Sequence, residues 1–473
     1  ASHSVTAFMP SEPLPPRSPV NVPDDTERAA LVHYVKAGHS ENAPIMKTEK
    51  WGKQEVYRHM EPIRLMPPCM GCHGKPKGEL DLVNFEKDGL EPGDVIGLMS
   101  GTSLDGVDAA LVDINDKRTK LICFESFSMP ADTRQRILDC CSPERSDIRL
   151  ACSLNVELGY LFANAARMVC EKAGTSLKDV QCIASHGQTV YHIPQHENGW
   201  LASTLQLGEP AIIAYETGVQ VVSGFRAMDM AAGGRGAPLV PYTEYLLYRS
   251  DTDRALLNIG GIANVTVLPA HCAMADVLAF DTGPGNMIMD ALARLLFDEP
   301  YDAGGALAAQ GQPNETILTE WLNLPYFQMP PPKATGRELF GEQFVREALR
   351  RWPKVSSHDW LATAAHFAAR SVIRGLRDHV FPRCPVTQLV VSGGGSHNKT
   401  LLSLLSDLLP SSCELLRQED MGWPSDAKEA VAFALLGYET IHGRPGNLPA
   451  ATGARHPVIL GNITPAPLGD SGD

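Results

Sequence analysis

Residues 95–114 read VIGLMSGTSLDGVDAALVDI, two apolar runs joined by a short turn rich in glycine and hydroxyl groups. The runs 95–99 and 107–114 are predicted strands, and the turn 100–106 supplies the glycines of a tight reversal. The same layout recurs some 160 residues later, where ALLNI, a glycine pair and IANVTVL occupy 255–268. A strand–turn–strand unit that occurs twice at this distance predicts two related halves.

Two later segments predict that strands alternate with helices. Residues 359–376 read DWLATAAHFAARSVIRGL, in which apolar side chains recur at helical spacing, and Ser357 is the predicted N-cap. Residues 388–398 read QLVVSGGGSHN, which predicts a strand, a triple-glycine turn and then a helix. This alternation predicts an α/β fold.

The composition is typical of a globular protein. The chain has 473 residues, of which 44% are hydrophobic and 20% charged, and its length predicts two or three domains. The net charge of −14 disfavours a general nucleic-acid or anionic-membrane partner, since both would be repelled. No apolar run reaches the roughly 20 residues of a membrane span, and the first residues show no signal-peptide pattern. Nine of the eleven cysteines are predicted to be buried, reduced thiols, the exceptions being Cys69 and Cys72.

Three glycine-rich turns each follow an apolar strand: GLMSGTSLDG (97–106), FDTGPGN (280–286) and VSGGGSHN (391–398). Glycine lets backbone N–H groups approach an anion closely, and the hydroxyls of Thr102, Ser103 and Thr282 add donors for phosphate. Carboxylates such as Asp105 and Asp281 would repel a phosphate unless they bind Mg²⁺ or act as a general base. The alternative is that the turns are structural and the aspartates cap them.

Other nucleotide and metal motifs are missing from the sequence. The pair Gly74-Lys75 is followed by Pro76, so it is no Walker A motif. No G-x-G-x-x-G follows a predicted strand, and no H-E-x-x-H occurs. The sequence therefore disfavours a P-loop NTPase and a Rossmann dinucleotide site.

The pattern of strands and turns resembles the actin/hexokinase/Hsp70 superfamily of ATPases, and within it the anhydro-N-acetylmuramic acid kinase family. The resemblance extends from residue 95 to about 468 and rests on blocks in family order. The blocks are GLMSGTSLDGVDAALVDI (97–114), ASHGQTVYHIP (184–194), LQLGEPAIIAYETG (205–218), GFRAMDMAAGGRGAPLVP (224–241), LLNIGGIANVT (256–266), FDTGPGNMIMDA (280–291), KATGRELF (333–340), VSGGGSHN (391–398) and KEAVAFALLG (428–437).

The resemblance implies a two-domain, ribonuclease H-like α/β fold with an interdomain cleft that closes around ATP and sugar. Domain 1 would hold 95–224 with 455–468 returning to it, and domain 2 would hold 225–454. The implied reaction is ATP-dependent hydrolysis of the 1,6-anhydro bond of 1,6-anhydro-N-acetylmuramic acid with phosphorylation of O6, in peptidoglycan recycling. ATP and Mg²⁺ are the implied cofactors, the implied location is the cytoplasm, and the implied assembly is a homodimer.

The resemblance also implies roles for individual residues. Asp281 would be the catalytic base, and Asp105 would bind Mg²⁺. ATP and its phosphates would be bound by Gly101, Thr102, Ser103, Leu104, Asp105, Gly106, Gly260, Gly261, Gly283, Gly285, Gly393, Gly394, Gly395 and Asn398. The sugar would be bound by His186, Gln188, Arg226, Asp229 and Glu429.

The implied sugar ligands have structural alternatives. Arg226 would meet the lactyl carboxylate as a forked donor, or else form a structural ion pair. His186 is equally a candidate for a satisfied core histidine, and Glu429 for a solvated helix carboxylate. The block containing Thr335, Gly336 and Arg337 receives no role.

Residues 1–94 differ in texture and do not belong to the kinase fold. They include the proline-rich stretch 9–24, a helix predicted over 26–38 and the string Cys69-Met70-Gly71-Cys72-His73. C-x-x-C-H is the pattern of covalent c-type haem attachment, in which two thiols bind the haem and the histidine binds iron. The surroundings resemble the tail of a haem sensor domain. The alternatives are a haem-free fusion, a haem-bearing segment, and a metal-binding or bare loop.

The sequence is also compatible with two other functions. One is a haem-binding redox or sensor protein with a passenger kinase region. The other is a non-sugar ATPase of the same superfamily, which would turn over ATP without sugar and should lack the blocks at 224–241 and 333–340. Both blocks are present.

Overall fold

The structure is a computed structural model. It describes residues 45–51, 54–60, 93–101, 104, 106–115, 118–197 and 199–467. The chain divides into two compact units, Ala1–Gly89 and Leu90–Asp473. In the first unit, β1 (Ile45–Trp51) and β2 (Gln54–Met60) form an antiparallel hairpin. The helix predicted at 26–38 and the C-x-x-C-H string lie outside the described residues.

The second unit contains two mixed sheets. The first sheet comprises β3 (Gly93–Ser100), β4 (Gly106–Asn115), β5 (Arg118–Ser128), β6 (Val180–Ile193), β7 (Ser203–Leu207), β8 (Val221–Ser223) and β14 (Asn462–Thr464). The second comprises β9 (Arg254–Ile259), β10 (Ile262–Leu268), β11 (Leu278–Pro284), β12 (Gln388–Ser392) and β13 (Glu414–Arg417).

Both sheets have the same strand order. In the first it is β5-β4-β3-β6-β8, with β14 outside β8 and β7 paired to β6; in the second it is β11-β10-β9-β12-β13. Each begins with three antiparallel strands and continues with two parallel ones. The predicted strand–turn–strand units are thus confirmed as β3–β4 and β9–β10, and the predicted relation between the halves holds in strand order.

The helices of the second unit are α1 (Ala131–Cys140), α2 (Ile148–Ala173), α3 (Pro210–Thr217), α4 (Phe225–Ala231), α5 (Val240–Tyr248), α6 (Met287–Phe297), α7 (Glu315–Leu322), α8 (Arg337–Phe340), α9 (Glu342–Arg351), α10 (Ser357–Gly375), α11 (Lys399–Leu408), α12 (Lys428–Ile441) and α13 (Pro449–Thr452). Helices and mixed sheets together confirm the predicted α/β class. No helix among the described residues has the length and hydrophobicity needed to cross a membrane.

The predicted helix at 359–376 is confirmed as α10, but its N-cap is wrong by one residue. Ser357 is the first helical residue, and the side chain of Ser356 accepts the capping hydrogen bond from the backbone N–H of Asp359. Ser356 has the extended backbone that a capping residue needs, which places its hydroxyl at the exposed N–H groups of the first turn.

Helix α12 packs directly on the first sheet. A Cβ at Gly97 of β3 would lie 2.7 Å from the backbone nitrogen of Ala434, so glycine is required for this approach. Phe433 and Tyr438 of the helix are buried in one cluster with Leu256 and Val390 of the second sheet. The domain limits remain a prediction, but α12 packs on the first sheet although it falls within the range 225–454.

The nine cysteines of the described part of the chain are free thiols, as predicted. Cys152 is exposed, however, and Cys123 and Cys141 are only partly buried, so the prediction of burial was wrong for these three. Cys152 lies in the first turns of α2 and lines a groove on the protein surface, which leaves its thiol exposed.

Candidate active site

The glycine turns of the second sheet meet at one end of it. The backbone N–H of Gly285 donates to the carbonyl of Gly261 at 2.9 Å, and that of Asn286 donates to the carbonyl of Gly260 at 2.8 Å. The triple-glycine turn lies against the same β9 end, where a Cβ at Gly393 would lie 2.8 Å from the carbonyl oxygen of Ile259. Three separate segments thus form one backbone surface, which we call the glycine cradle: residues 260–261, 285–286 and 393–395.

Not every glycine of the cradle faces open space. A Cβ at Gly395 would lie 2.6 Å from Cβ of Ile259. A Cβ at Gly394 would have, among the described residues, the Asn286 amide alone within reach, 3.7 Å away. Gly260 has similarly open surroundings. Gly394 and Gly260 therefore leave room for a ligand, while Gly395 makes the packing of the turn possible.

Two predicted nucleotide ligands have mainly structural contacts. A Cβ at Gly283 would meet Ser371 and Phe327, so this glycine faces helix α10 and the core. Asn398 is buried and caps α11, because its side-chain oxygen accepts from the backbone N–H of Leu401 at 2.9 Å. These two residues support the cradle from behind.

The corresponding turn of the first sheet is described only in part. The backbone N–H of Leu104 donates to the carbonyl of Gly101, and a Cβ at Gly106 would press on the carbonyl of Phe127. Ser100 Oγ donates to Gln188 Oε1 at 2.7 Å. Gln188 therefore braces this turn from β6. The predicted ligands Thr102, Ser103 and Asp105 lie outside the described residues.

Asp281 lies in β11 and is held by the segment 326–335. The backbone N–H of Thr335 donates to Asp281 Oδ2 at 2.9 Å. The hydroxyl of Tyr326 donates to the Asp281 carbonyl at 2.6 Å, and the Asp281 N–H donates to the carbonyl of Lys333 at 3.0 Å. Both the main chain and the carboxylate of Asp281 are therefore fixed.

Burial raises the pKa of Asp281 to about 6, because desolvation penalises its charged form. The hydrogen bond from Thr335 opposes this shift, and the nearby charge of Glu338 adds to it. A carboxylate that titrates near neutrality is suited to general-base chemistry, since it is ionised at pH 7 and still basic.

His186 of β6 and Arg226 of α4 form a polar pair, in which the histidine is buried and the arginine half-buried. Arg226 Nε donates to His186 Nε2 at 3.1 Å, and His186 Nδ1 lies 2.8 Å from the carbonyl of Gly187. This arrangement requires the neutral imidazole that carries its proton on Nδ1. Burial, with the charge of Arg226, lowers the pKa of His186 to about 3, so the ring stays neutral at physiological pH.

Glu429 lies at the start of α12, and its charge faces Arg226. Solvent reaches the side chain, yet the protein atoms around it raise the pKa of Glu429 by desolvation. The positive charges of Lys428 and Arg226 lower the pKa of Glu429, and the negative charge of Asp108 raises it further. The structure thus brings Glu429, Arg226 and His186 together, as expected for one polar site.

Asp229 is fully buried and its partners are structural. Oδ2 accepts from the backbone N–H of Gly236 at 2.8 Å, and Oδ1 accepts from Asn447 Nδ2 and Thr452 Oγ1, both at 2.7 Å. Arg226 in turn donates to the Gly236 carbonyl. Asp229 therefore fixes the loop that positions Arg226.

Asp281 and the His186–Arg226–Glu429 group are separate constellations. The hydrogen bonds of Asp281 all go to residues 326–335, and within the described residues none joins it to His186, Arg226 or Glu429. The first constellation belongs to the second sheet, and the other to the first sheet with helices α4 and α12.

One groove lies beside these residues, and another lies away from them. One of about 420 Å³ opens beside His186 and is lined by Ser185, Thr204 and Gln206. A larger one of about 640 Å³ lies at Arg351–Val355 and is lined by none of the predicted site residues. The groove beside His186 is the one continuous with the polar pair.

Sequence reasoning missed several supporting residues. Thr335, which receives no role from the sequence, holds Asp281, and Tyr326 and Lys333 fix the same residue without any sequence signal of their own. The block KATGRELF was the available signal for this segment. Lys428, next to Glu429, was also missed, although it is buried against Glu244.

Metal ligands do not cluster in the described residues. No three His, Cys, Asp or Glu side chains there lie close enough together to hold a metal ion. Mg²⁺ that enters a kinase with ATP needs only one or two protein carboxylates, because phosphate oxygens and water complete its shell. The donor set is compatible with a metal that arrives on the nucleotide.

Comparison with known proteins gives matches to two families and to several individual proteins. The sequence model of the family described as anhydro-N-acetylmuramic acid kinase matches residues 93–466, and one described as Tll0287 matches residues 13–102. The anhydro-N-acetylmuramic acid kinase of Bacillus cereus strain AH187 is 49% identical over 376 residues, which cover 78% of this chain and 98% of the relative. That of Clostridioides difficile strain 630 is 48% identical over 380 residues, covering 79% and 99%. A solved structure of component A of (R)-2-hydroxyglutaryl-CoA dehydratase from Acidaminococcus fermentans is 12% identical, with a TM-score of 0.38, covering 74% and 99%.

Proposed function

Since the chain belongs to the anhydro-N-acetylmuramic acid kinase family, we propose that it converts 1,6-anhydro-N-acetylmuramic acid, ATP and water to N-acetylmuramic acid 6-phosphate and ADP. The observation that carries this proposal is the 49% identity over 98% of a relative with that name. The product and the substrate are cell-wall sugars, so the reaction belongs to peptidoglycan recycling.

Asp281 acts as the general base in this proposal. Its Oδ2 is held by Thr335, and within the described residues no hydrogen bond occupies Oδ1. Oδ1 accepts a proton from water, the water oxygen attacks the anomeric carbon, and the bond from that carbon to O6 breaks. The released O6 then attacks the γ-phosphorus, and ADP leaves. One water and one phosphoryl group are gained by the sugar.

The glycine cradle and the polar pair divide the binding of substrates. Backbone N–H groups at Gly261 and Gly394 bind the phosphates of the nucleotide. Mg²⁺ entering with the nucleotide would neutralise phosphate charge. Arg226 and Glu429 bind the sugar, and Arg226 meets its lactyl carboxylate. His186 and Asp229 hold Arg226 in place.

Mass spectrometry of the sugar, incubated with the full-length protein, ATP and Mg²⁺, tests the activity. A product heavier by one phosphoryl group and one water supports the proposal. Accumulation of ADP with unchanged sugar would instead indicate an ATPase without a sugar substrate. No change in either compound would contradict the substrate assignment.

A second candidate function, haem-dependent redox or sensing, rests on Cys69, Cys72 and His73 and on the match over residues 13–102. These residues lie outside the described part of the chain. An absorption spectrum of the protein, expressed in a host that attaches haem, decides the question. A Soret band that survives denaturation would support covalent haem, and a colourless protein would contradict it.

We also propose that the kinase acts in the cytoplasm, where ATP is present, and that it is a homodimer. Five large apolar side chains on α2, α3 and the β6–β7 loop are more than half exposed: Ile148, Tyr160, Trp200, Leu201 and Tyr215. Large exposed apolar side chains mark a protein–protein contact where they form one patch, and the proposed dimer requires these five to do so. Light scattering that gives the mass of a monomer at micromolar concentration would contradict the dimer.

A further inference from the structure

Lys428 forms a buried ion pair that no role assigned so far explains. Its Nζ lies 2.6 Å from Oε1 of Glu244, and the two side chains are only 9% and 5% exposed. The same Nζ donates a hydrogen bond to Ser392 Oγ at 2.9 Å. Lys428 thus has two fixed partners away from water.

The three residues come from elements that serve different parts of the site. Lys428 is the first residue of α12, directly before Glu429. Ser392 is the last residue of β12, directly before Gly393 of the glycine cradle. Glu244 lies in α5, which packs against α12. One ammonium group therefore connects the helix that carries Glu429 to the strand that carries the cradle.

Helix α12 is fixed to the first sheet, so a bond from this helix to β12 joins the two sheets. The helix cannot shift easily over β3 and β6, because it is packed against Gly97, and Gly437 of the helix lies close to Ala184. The hydrogen bond from Lys428 to Ser392 joins the first residue of this helix to the second sheet. It is therefore a link between the sugar side and the nucleotide side of the site.

We propose that Lys428 is a positioning residue, which through Glu244 and Ser392 fixes the distance between Glu429 and the glycine cradle. This inference rests on the proposed kinase function and adds a residue that touches neither substrate. In-line phosphoryl transfer depends on that distance, since a misplacement of about 1 Å between reacting groups can cost about 10²-fold in rate. Loss of the link should lower kcat while each binding site remains formed.

The test is the double variant Lys428→Met/Glu244→Gln in the full-length protein. Both charges are removed together, because loss of one alone would leave its partner buried and unpaired. We expect kcat for sugar phosphorylation to fall at least ten-fold, with the Kd of ADP and of the sugar within three-fold of the parent protein. We also expect more than one ADP per sugar phosphate, since a misplaced acceptor allows water to compete.

A matched control lies at the other end of the same helix. The double variant Arg444→Met/Glu439→Gln removes the ion pair between Arg444 Nη2 and Glu439 Oε1, 2.7 Å apart, and leaves the Lys428 link intact. Its ratio of ADP to sugar phosphate should stay at one. The proposal would be overturned if the control lost as much kcat as the test variant and showed the same change in the ratio of ADP to sugar phosphate. It would also be overturned if kcat of the test variant fell by less than ten-fold.

Ser392→Ala keeps the proposal testable if the double variant does not fold. It removes the bond from Lys428 to β12 and leaves the ion pair with Glu244. We expect a thermal midpoint close to that of the parent protein, a kcat several-fold lower and the same excess of ADP. If the parent protein phosphorylates the sugar and Ser392→Ala has the same kcat and the same ratio of ADP to sugar phosphate, the link is refuted. A parent protein that does not phosphorylate the sugar would refute the proposed function instead.

Discussion

The backbone N–H of Thr335 donates a hydrogen bond to Oδ2 of Asp281 at 2.9 Å, across 54 residues of sequence. A main-chain donor cannot rotate away as a side chain can, so the carboxylate keeps one orientation. The same segment fixes the main chain of Asp281 through Tyr326 and Lys333. Asp281 therefore has both features of a general base: a fixed direction and a raised pKa.

The pH dependence of the reaction should report the ionisation of Asp281. Burial raises its pKa to about 6 in the ligand-free protein, and a base must be unprotonated, so kcat/KM for the sugar should rise with pH through about 6 and level off above it. Asp281→Asn should lower kcat by about 10²- to 10⁴-fold, since that is the usual contribution of a general base. Steady-state rates from pH 5 to 8 measure both effects.

Asp290 provides the matched control for that profile. Burial also raises the pKa of this α6 aspartate to about 6. We call the rise of the rate through about pH 6 the acidic limb. If this limb reports Asp281, Asp290→Asn will show it at the same pH. If the acidic limb disappears in Asp290→Asn, the pH dependence arises from Asp290, which contradicts the role proposed for Asp281.

Asp281→Asn should also stabilise the protein at neutral pH. The folded-state pKa of about 6 exceeds the usual value of 3.8, so the folded state holds this proton more tightly than the unfolded state does. The resulting stability is present below pH 4 and is lost as pH rises to about 6, on the order of 3 kcal/mol at 1.36 kcal/mol per unit. Denaturant unfolding should show a more stable variant at pH 8 and equal proteins near pH 3.5. A variant less stable at pH 8 would contradict the burial argument.

The sequence allowed the fold to be predicted because its signals are local. Apolar runs with glycine turns at 95–114 and 255–268 define hairpins whichever sheet they join, and β3–β4 and β9–β10 confirm them. The N-cap was placed at Ser357 and not at Ser356 because two adjacent serines offer equal capping chemistry. Only the backbone conformation distinguishes Ser356.

The site was harder to predict because its support comes from distant segments. Asp229 resembles a sugar ligand in the block GFRAMDM, yet Asn447 and Thr452 occupy Oδ1 of its carboxylate, and both lie over 200 residues away. Lys428 looks like a solvated helix residue, and only the approach of α5 and β12 shows that it is buried. Pairings of this kind have no periodicity or spacing that a single sequence can display.

Arg226→Lys should affect the sugar rather than the nucleotide. Arg226 donates to both His186 and the Gly236 carbonyl, and a lysine has a single donor centre that cannot reproduce the fork. We expect the KM of the sugar to rise at least ten-fold and that of ATP to change less than three-fold. An equal rise in both KM values would place Arg226 outside the sugar site.

Asp229→Asn should destabilise the fold strongly. Asp229 accepts three hydrogen bonds from neutral donors in full burial, so an amide NH₂ there would face a donor and leave it unsatisfied. We expect a loss of about 2–4 kcal/mol in the free energy of unfolding. Asp113→Asn is the control, because in the described part of the chain Asp113 forms its ion pair with the exposed Arg118, and the change should cost less than about 1 kcal/mol. Equal losses in urea unfolding would contradict a structural role for Asp229.

Gly394→Ala and Gly395→Ala should separate nucleotide binding from folding, although the residues are adjacent. At Gly394 a Cβ meets no atom of the described residues closer than 3.7 Å, so the alanine variant should fold with a thermal midpoint within about 2 °C of the parent. Its methyl group would occupy the space that we assign to phosphate, so the KM of ATP should rise at least ten-fold. At Gly395 the new Cβ would overlap Ile259, so the β9–β12 contact must open and the thermal midpoint should fall by several degrees. Thermal unfolding and ATP titration of the two variants measure the difference. If Gly394→Ala binds ATP normally, the phosphates do not lie over that turn, and the glycine cradle would be a packing device of the second sheet alone.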